Sequence, residues 1–559
     1  MSSSSSIRMT ERSKQYRLWL LALGLMLASF GAAAATDLFR SISSNLRAYN
    51  NVVKHLLSEY VDDINSEELI SAAIRGMLDD LDPYTVFIRA QDQASVNMLT
   101  RGKYGGVGIR LGVRGDTLTV IAPMEGTPAH RAGVRPGDKI IKIDGESSDK
   151  VRVDEAAGKI RGKPGTEVTL TFIRMGAAEP LEVVLVREEI KVNDLPFYGA
   201  HDGIGYIRLN RFSRNAAKEF RSAVVELSAQ GLDGLVLDLR GNPGGLLQDA
   251  VAMVDAMVEP GLAIVETRGR TRKANRKYLS ERKPALDPAT PLVILVNHGS
   301  ASASEIVAGA IQDLDRGVIV GERTFGKGLV QSIFPVGKNT SLKLTTAKYY
   351  IPSGRLIQKE DYLNNGVLTD GLDMRDSVFV TRSGRVVSGG GGINPDIEVR
   401  RPELAPLTTR LWSRSLFFSF VTENQRRYNL TLPVAISDQV MEDFRAYVQG
   451  KDVTASFPGQ QELASFEASL AALESFDGQV DLAALQSYYE ARAATAFDDE
   501  YEQIRRRLRL GFAALIAGVE ARIESSLQDD AAYLRAVELI QTPLAYQQIL
   551  APSDQVARN

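Results

Sequence analysis

Three serines stand close together in "VNHGSASASEIVAGAIQD": Ser300, Ser302 and Ser304. The apolar run "PLVILVN" precedes them and a helical pattern follows, so they fall at a strand-to-helix turn. Peptide N–H groups converge at such a turn, which suits a nucleophile and the oxyanion that its attack creates. Serine is also a favoured helix N-cap, and Ser304 reads as one. A serine nucleophile needs a base. His298 is near in sequence, but no third group orients it. The other candidate is Lys327, in "TFGKGL". Burial disfavours the charged amine and lowers its pKa, and a Ser–Lys pair is a variant of triad logic. The glycines on either side let the backbone bring the amine close to a hydroxyl.

The same lysine almost completes a phosphate-binding loop, with glycines at 321 and 326. That motif needs a Ser or Thr after the lysine to hold Mg²⁺ and a helix to receive the anion. Gly328 stands there instead, and the following "LVQSIFPV" reads as a strand. Nucleotide binding is disfavoured.

Bulk composition narrows the choice further. The chain has 559 residues, 44% hydrophobic and 24% charged, which is ordinary for a folded protein of several domains. A net charge of −3 gives no basic field for nucleic acid. There is no cysteine, so disulfides and thiolate chemistry are excluded. The four histidines, His55, His130, His201 and His298, are too scattered for a multi-histidine metal site, and neither metal nor cofactor is expected. Arg8, Arg12, Lys14 and Arg17 precede an apolar run from Leu18 to Phe30 and the small residues Ala32 to Ala35. This is an export-signal pattern over residues 1–35, with cleavage after Ala35; the alternative is an uncleaved membrane anchor. Either places the bulk of the chain in the periplasm or cell envelope.

The elements that position the chemistry follow from texture. Residues 36–100 read as helical, with Asn65 and Glu68 as a capping box and Ile70, Ile74, Met77 and Leu81 as the apolar face. Residues 101–188 switch to short strands and glycine turns. Residues 189–401 alternate strand and helix, an α/β layer pattern: "GIGYIRL", "GLVLDLR", "PLVILVN" and "GVIVG" are strands between helical segments. Residues 402–559 return to helix, with Ile504, Leu508, Leu515 and Val519 in phase, and read as a packing or assembly element.

Two resemblances give these segments roles. "YGGVGIRLG", "AGVRPGDKIIKIDGE" and the helix "VDEAAGKIRG" resemble a PDZ domain. This implies that Gly106, Val107, Gly108 and Ile109 bind a substrate C-terminal carboxylate while the tail adds a strand. Residues 37–401 resemble the carboxyl-terminal processing peptidases, Ser–Lys proteases with a PDZ domain and a crotonase-like core. The matching blocks include "LDPYTVFI", "LVLDLRGNPGG", "VNHGSASASEI", "GERTFGKGLVQ" and "GGGINPDI". The resemblance implies Ser302 as nucleophile, Lys327 as base and Gln331 as the residue steadying the lysine. It implies an oxyanion hole of Ala303 with Gly244 or Gly245. The implied fold is multidomain α+β and α/β: N-terminal helices, PDZ domain, crotonase-like protease core and C-terminal helical extension. The implied activity is an exported serine endopeptidase acting on proteins and peptides with a free C-terminus. The alternative reading is a catalytically inactive PDZ scaffold. Some relatives use adaptor proteins and assemble through helical termini, which allows for an adaptor and a homo-oligomer here. Membrane association would run through the N-terminus.

Overall fold

The computed structural model describes residues 40, 42–89, 102–358, 378–451, 453–472 and 482–552. The export segment expected over 1–35 lies outside them. Two compact units divide the chain, Met1–Asp80 and Leu81–Asn559.

In the first unit, a helix over residues 42–59 is followed by the Ser66–Leu78 helix. Asn65 caps the latter, its Oδ1 accepting the N–H groups of Glu67 (2.9 Å) and Glu68 (3.2 Å). The expected apolar face is shorter than its periodicity suggests. Met77 is 60% exposed, and Leu81 lies beyond the helix end. The helical region expected over 36–100 also stops early. "LDPYTVFI" leaves it to form the strand Val86–Ile88, which pairs antiparallel with residues of the Thr340–Tyr350 strand. Its β-branched and aromatic residues favour that outcome.

The centre of the second unit is a six-stranded sheet. Its order is Phe197–His201, Ile204–Arg208, Gly234–Asp238, Leu292–Val296, Val318–Gly321, Ile397–Glu398. The first pair is antiparallel and the other four are parallel. Successive side chains point to opposite faces. Leu235, Leu237, Ile294 and Ile319 enter one core with the helices Ala216–Ser228, Leu247–Asp255 and Ala303–Asp313. Val236, Val293, Leu295 and Val320 enter the opposite core. That core is completed by Tyr533, Ala536, Leu539 and Tyr546 of the Ala531–Ile540 and Pro543–Leu550 helices. Coverage on both faces is why these strands read as unbroken apolar runs.

A second sheet packs beside this core. It joins Val86–Ile88, Thr340–Tyr350, Ala263–Arg268 and Arg276–Leu279, with Leu329–Gly337 also paired to Thr340–Tyr350. A third carries the PDZ-like segment in the order Ile109–Arg114, Thr117–Pro123, Lys139–Ile143, Glu167–Ile173, Leu181–Val186. Its core, around Val120, Ile140, Leu170 and Phe172, is closed by Ala156 and Ile160 of the Val153–Ile160 helix. The C-terminal helices build a further core on Phe420, Phe444, Ile504, Leu508 and Phe512. The Tyr501–Leu527 helix breaks at Ala517 and Gly518, where the backbone leaves helical angles, so the 504–519 stripe is not one straight face.

Candidate active site

The strand Leu292–Val296 ends in the serine turn, and the three serines have different fates. Ser300 Oγ donates to the Leu239 carbonyl (2.8 Å) and accepts the Asn297 N–H (3.0 Å). Ser304 Oγ donates to the Asn242 carbonyl (2.9 Å). Both are fully buried and tie the turn to the neighbouring "GNPGG" segment. Ser302 is the residue just before the Ala303–Asp313 helix, at φ 57° and ψ −112°. A non-glycine residue at positive φ is uncommon, and such strain persists where surroundings over-determine it. Ser302 and Ala303 line a cavity of about 370 Å³.

Glu305 is what over-determines it. Its carboxylate is fully buried and accepts four hydrogen bonds: from Ser302 N–H (2.7 Å), Lys327 N–H (2.9 Å), Gly326 N–H (2.6 Å) and Thr324 Oγ1 (2.6 Å). Burial pushes the carboxyl up to about 7 against the pull of these donors. One side chain thus fixes the backbone of the serine and of the lysine together. Tyr349, fully buried, adds a second tie: its hydroxyl donates to the carbonyls of Ser302 (3.1 Å) and Lys327. Neither Glu305 nor Tyr349 is among the residues that the sequence singles out. The sequence does carry a signal for Glu305, since Ser302-x-x-Glu305 is a capping-box spacing and the acid directly precedes the apolar run Ile306–Ile311.

Lys327 follows a loop that closes on this carboxylate. Burial pushes its ammonium down to about 8; Lys343 adds repulsion, while Asp82 and Glu305 pull the other way. The amine does not bond to Ser302. Nζ lies 4.1 Å from the centre of the Tyr84 ring, a cation–π position. Gln331 does not reach the lysine either: Nε2 donates to Thr345 Oγ1 at 3.4 Å. Thr345 Oγ1 donates in turn to Asp82 Oδ1 (2.9 Å), and Thr85 Oγ1 to Asp82 Oδ2 (2.7 Å). "LDPYT" therefore builds the platform under Lys327, a role its sequence does not announce.

The two candidate glycines separate on their amides. Gly244 gives its N–H to Asn242 Oδ1 (2.9 Å), and a Cβ there would lie 2.8 Å from Ser302 Cβ. Gly245 lines the cavity with Ser302, and its N–H has no acceptor among the described residues. Its φ is 152°, and a Cβ would collide with the Phe212 carbonyl, so only glycine fits. Ala303 begins a helix, so its N–H has no intrahelical acceptor. His298 stands apart, 85% exposed, with Nδ1 3.4 Å from Glu322 Oε2.

In the PDZ-like segment, Ile109–Arg114 is an edge strand among the described residues, paired on one side only within its sheet. Gly108, at φ 75°, turns the chain into it, and its carbonyl accepts the Met124 N–H (2.7 Å). Gly106 is buried, and Val107, only 1% exposed, points into the domain's own core. The Val107 side chain is therefore not on the domain surface, while Ile109, Leu111 and Val153 are half-buried at the margin of that core.

The peptidase family S41 profile matches residues 203–371 and a PDZ-domain profile residues 119–174. Residues 407–540 match the C-terminal helical domain of probable PDZ-proteases, and 31–92 the N-terminal domain of the activating protease CtpB. The carboxy-terminal-processing protease of Bartonella bacilliformis is 39% identical over 341 residues, 59% of this chain and 78% of that one. The carboxyl-terminal-processing protease of Synechocystis is 36% identical over 368 residues, 61% of this chain and 85% of that one. Among solved structures, a photosystem II D1 C-terminal processing protease aligns at 30% identity over 63% of this chain and 86% of that one, with a TM-score of 0.35. The family S41 match runs through the serine turn and the lysine loop, and with the two relatives it shows that the chain belongs to the carboxyl-terminal processing proteases, serine-type peptidases of family S41.

Proposed function

We propose that the chain is an exported Ser–Lys endopeptidase that recognises substrate C-termini through its PDZ domain. Residues 101–188 capture the tail, 189–401 cut, and 402–559 support the core. The single observation that supports this most is Glu305, whose carboxylate holds the Ser302 and Lys327 backbones at once beside a cavity.

In this reading the Lys327 side chain leaves the Tyr84 ring and takes the proton from Ser302 Oγ as Oγ attacks the scissile carbonyl. Gln331, on the strand beside it, steadies the neutral amine. The carbonyl oxygen becomes an oxyanion that accepts the N–H groups of Gly245 and Ala303. Lys327 returns the proton to the leaving amine, and the acyl–Ser302 ester is hydrolysed by the same base acting on water. The PDZ edge strand at Ile109 holds the substrate end and raises its effective concentration at the site. Export rests on the basic, apolar and small-residue order over 1–35.

The parked lysine also suits the alternative of an inactive scaffold. Purified protein from residue 36 with an unstructured substrate separates the two. Ser302-dependent, ATP-independent cleavage is expected; no cleavage by the parent chain would favour the scaffold.

A further inference from the structure

The cavity that contains Ser302 joins two chemistries. Its inner wall is apolar, with Ile306, Leu329 and Ala347 all nearly buried. Its mouth carries two exposed cations, Lys273 and Arg276. Arg276 Nε donates to the Lys273 carbonyl (3.2 Å), and neither side chain has an acidic partner among the described residues. Glu266, on the neighbouring strand, is taken by Arg268 (3.0 Å).

The turn that carries these cations is held in place. Thr267 Oγ1 donates to the Ala274 carbonyl (2.7 Å), and Gly269 N–H donates to Asn275 Oδ1 (2.7 Å). A side chain at Gly269 would collide with the Thr346 carbonyl and stand 2.8 Å from Ala274 Cβ, so the turn is seated directly on the cavity wall. A substrate residue lodged against the apolar wall would therefore have two unneutralised cations beside it. Neither Lys273 nor Arg276 belongs to the Ser302–Lys327–Glu305 cluster.

We propose that Lys273 and Arg276 bind a substrate carboxylate flanking the apolar residue seated in this cavity, and so make the enzyme prefer acidic cleavage contexts. The proposal rests on the reading of Ser302 as nucleophile. The carboxylate has two sources: an Asp or Glu side chain next to the scissile bond, or the chain end when the cut lies close to it. Exposed charges at a rim change encounter and salt dependence more than bound-state affinity. The expected preference is therefore modest, about 1.5- to fivefold in kcat/KM, as for exposed ion pairs.

The test uses the full chain and internally quenched peptides with one apolar cleavage site. They carry glutamate or glutamine beside that site, each as free acid and as C-terminal amide. Rates are compared for the parent and for K273Q/R276Q at about 50 and 300 mM salt. The parent should favour glutamate, and the ratio should fall towards one in the double variant and at high salt. Charge reversal, K273E/R276E, should invert it. If instead the variants erase the acid-over-amide ratio and leave the glutamate ratio, the bound group is the chain end. If they move neither ratio, the proposal is overturned. If the parent cuts none of the peptides, the Ser–Lys reading has failed separately. Stopped-flow association rates of singly labelled versions of these peptides with the Ser302→Ala chain, with and without K273Q/R276Q, then decide the rim question by the same ratios.

Discussion

At the scale of single residues, the site is arranged around one buried carboxylate and one depressed amine. Lys327 holds its proton less tightly than an ordinary lysine, with a value of about 8. Below that pH the neutral amine increases tenfold per unit, so kcat/KM should rise with pH and level off above about 8. A flat profile between about 6 and 9 would count against a lysine base. Lys327→Ala should lose on the order of 10³-fold in kcat, and Lys327→Arg should not restore it, because a guanidinium stays protonated. Ser302→Ala should abolish cleavage and leave the melting temperature close to the parent's. Ser300→Ala and Ser304→Ala should keep activity but lower stability by about 1–2 kcal/mol each, since both hydroxyls are buried donors. Glu305→Gln presents an amide to donors that need acceptors on both oxygens. It should cost on the order of 10²-fold in kcat, more than in KM, by misplacing serine and lysine together. Glu305 has a folded value raised to about 7, so the folded state binds more protons than the unfolded one below that pH. Its contribution to stability therefore falls as pH rises from the ordinary carboxylate range to about 7, which denaturant titrations of Glu305→Gln against the parent can measure.

At the scale of elements, one turn and one edge strand have proposed roles that can be tested separately. Gly245→Ala forces a Cβ against the Phe212 carbonyl, and the turn must shift. Loss of an oxyanion donor costs about 10²–10³-fold in kcat, so a comparable fall is expected with little change in KM. Equal kinetics in the alanine variant would remove Gly245 from the oxyanion hole. In the PDZ segment, tail capture along the edge strand Ile109–Arg114, as proposed, predicts that amidating a substrate's C-terminus slows cleavage. The effect should fall on KM if the domain only recruits, and on kcat if it also gates. Equal rates for acid and amide would mean that the domain is not reading the chain end.

At the scale of the whole molecule, the C-terminal helices are part of the protease core. Asp530, at the start of the Ala531–Ile540 helix, pairs with Arg240 (2.8 Å), and Arg240 pairs with buried Asp238 (2.7 Å). Burial opposes a charge on Asp238, yet Arg240 and Arg208 hold its carboxyl below the usual range. Arg240 leads directly into the "GNPGG" turn. Asp530→Ala should cost about 1.5–3 kcal/mol, the scale of a hydrogen bond to a charged group, read by chemical denaturation. Deleting the chain from residue 531 would expose Val236, Val293, Leu295 and Val320. A soluble, active truncation would contradict that packing.

Periodicity alone determined much of this protein. The alternation of apolar runs and 3.6-residue stripes placed the strands at 204–208, 234–238, 292–296 and 318–321 and the helices between them, because burial on both sheet faces leaves a direct mark on composition. The resemblance, not local chemistry, singled out Ser302 from two neighbours of the same type. Folding separates the three by burying Ser300 and Ser304 in hydrogen bonds to residues about sixty positions away. Only the tertiary structure decided that Glu305 holds serine and lysine together, that Tyr84 receives the amine, and that Gly244 gives its N–H away while Gly245 does not. It also decided that residues beyond 527 close the catalytic sheet. These facts depend on contacts between segments far apart in the chain. A local pattern records how a residue meets its own helix or strand, and has no term for what folding brings opposite it.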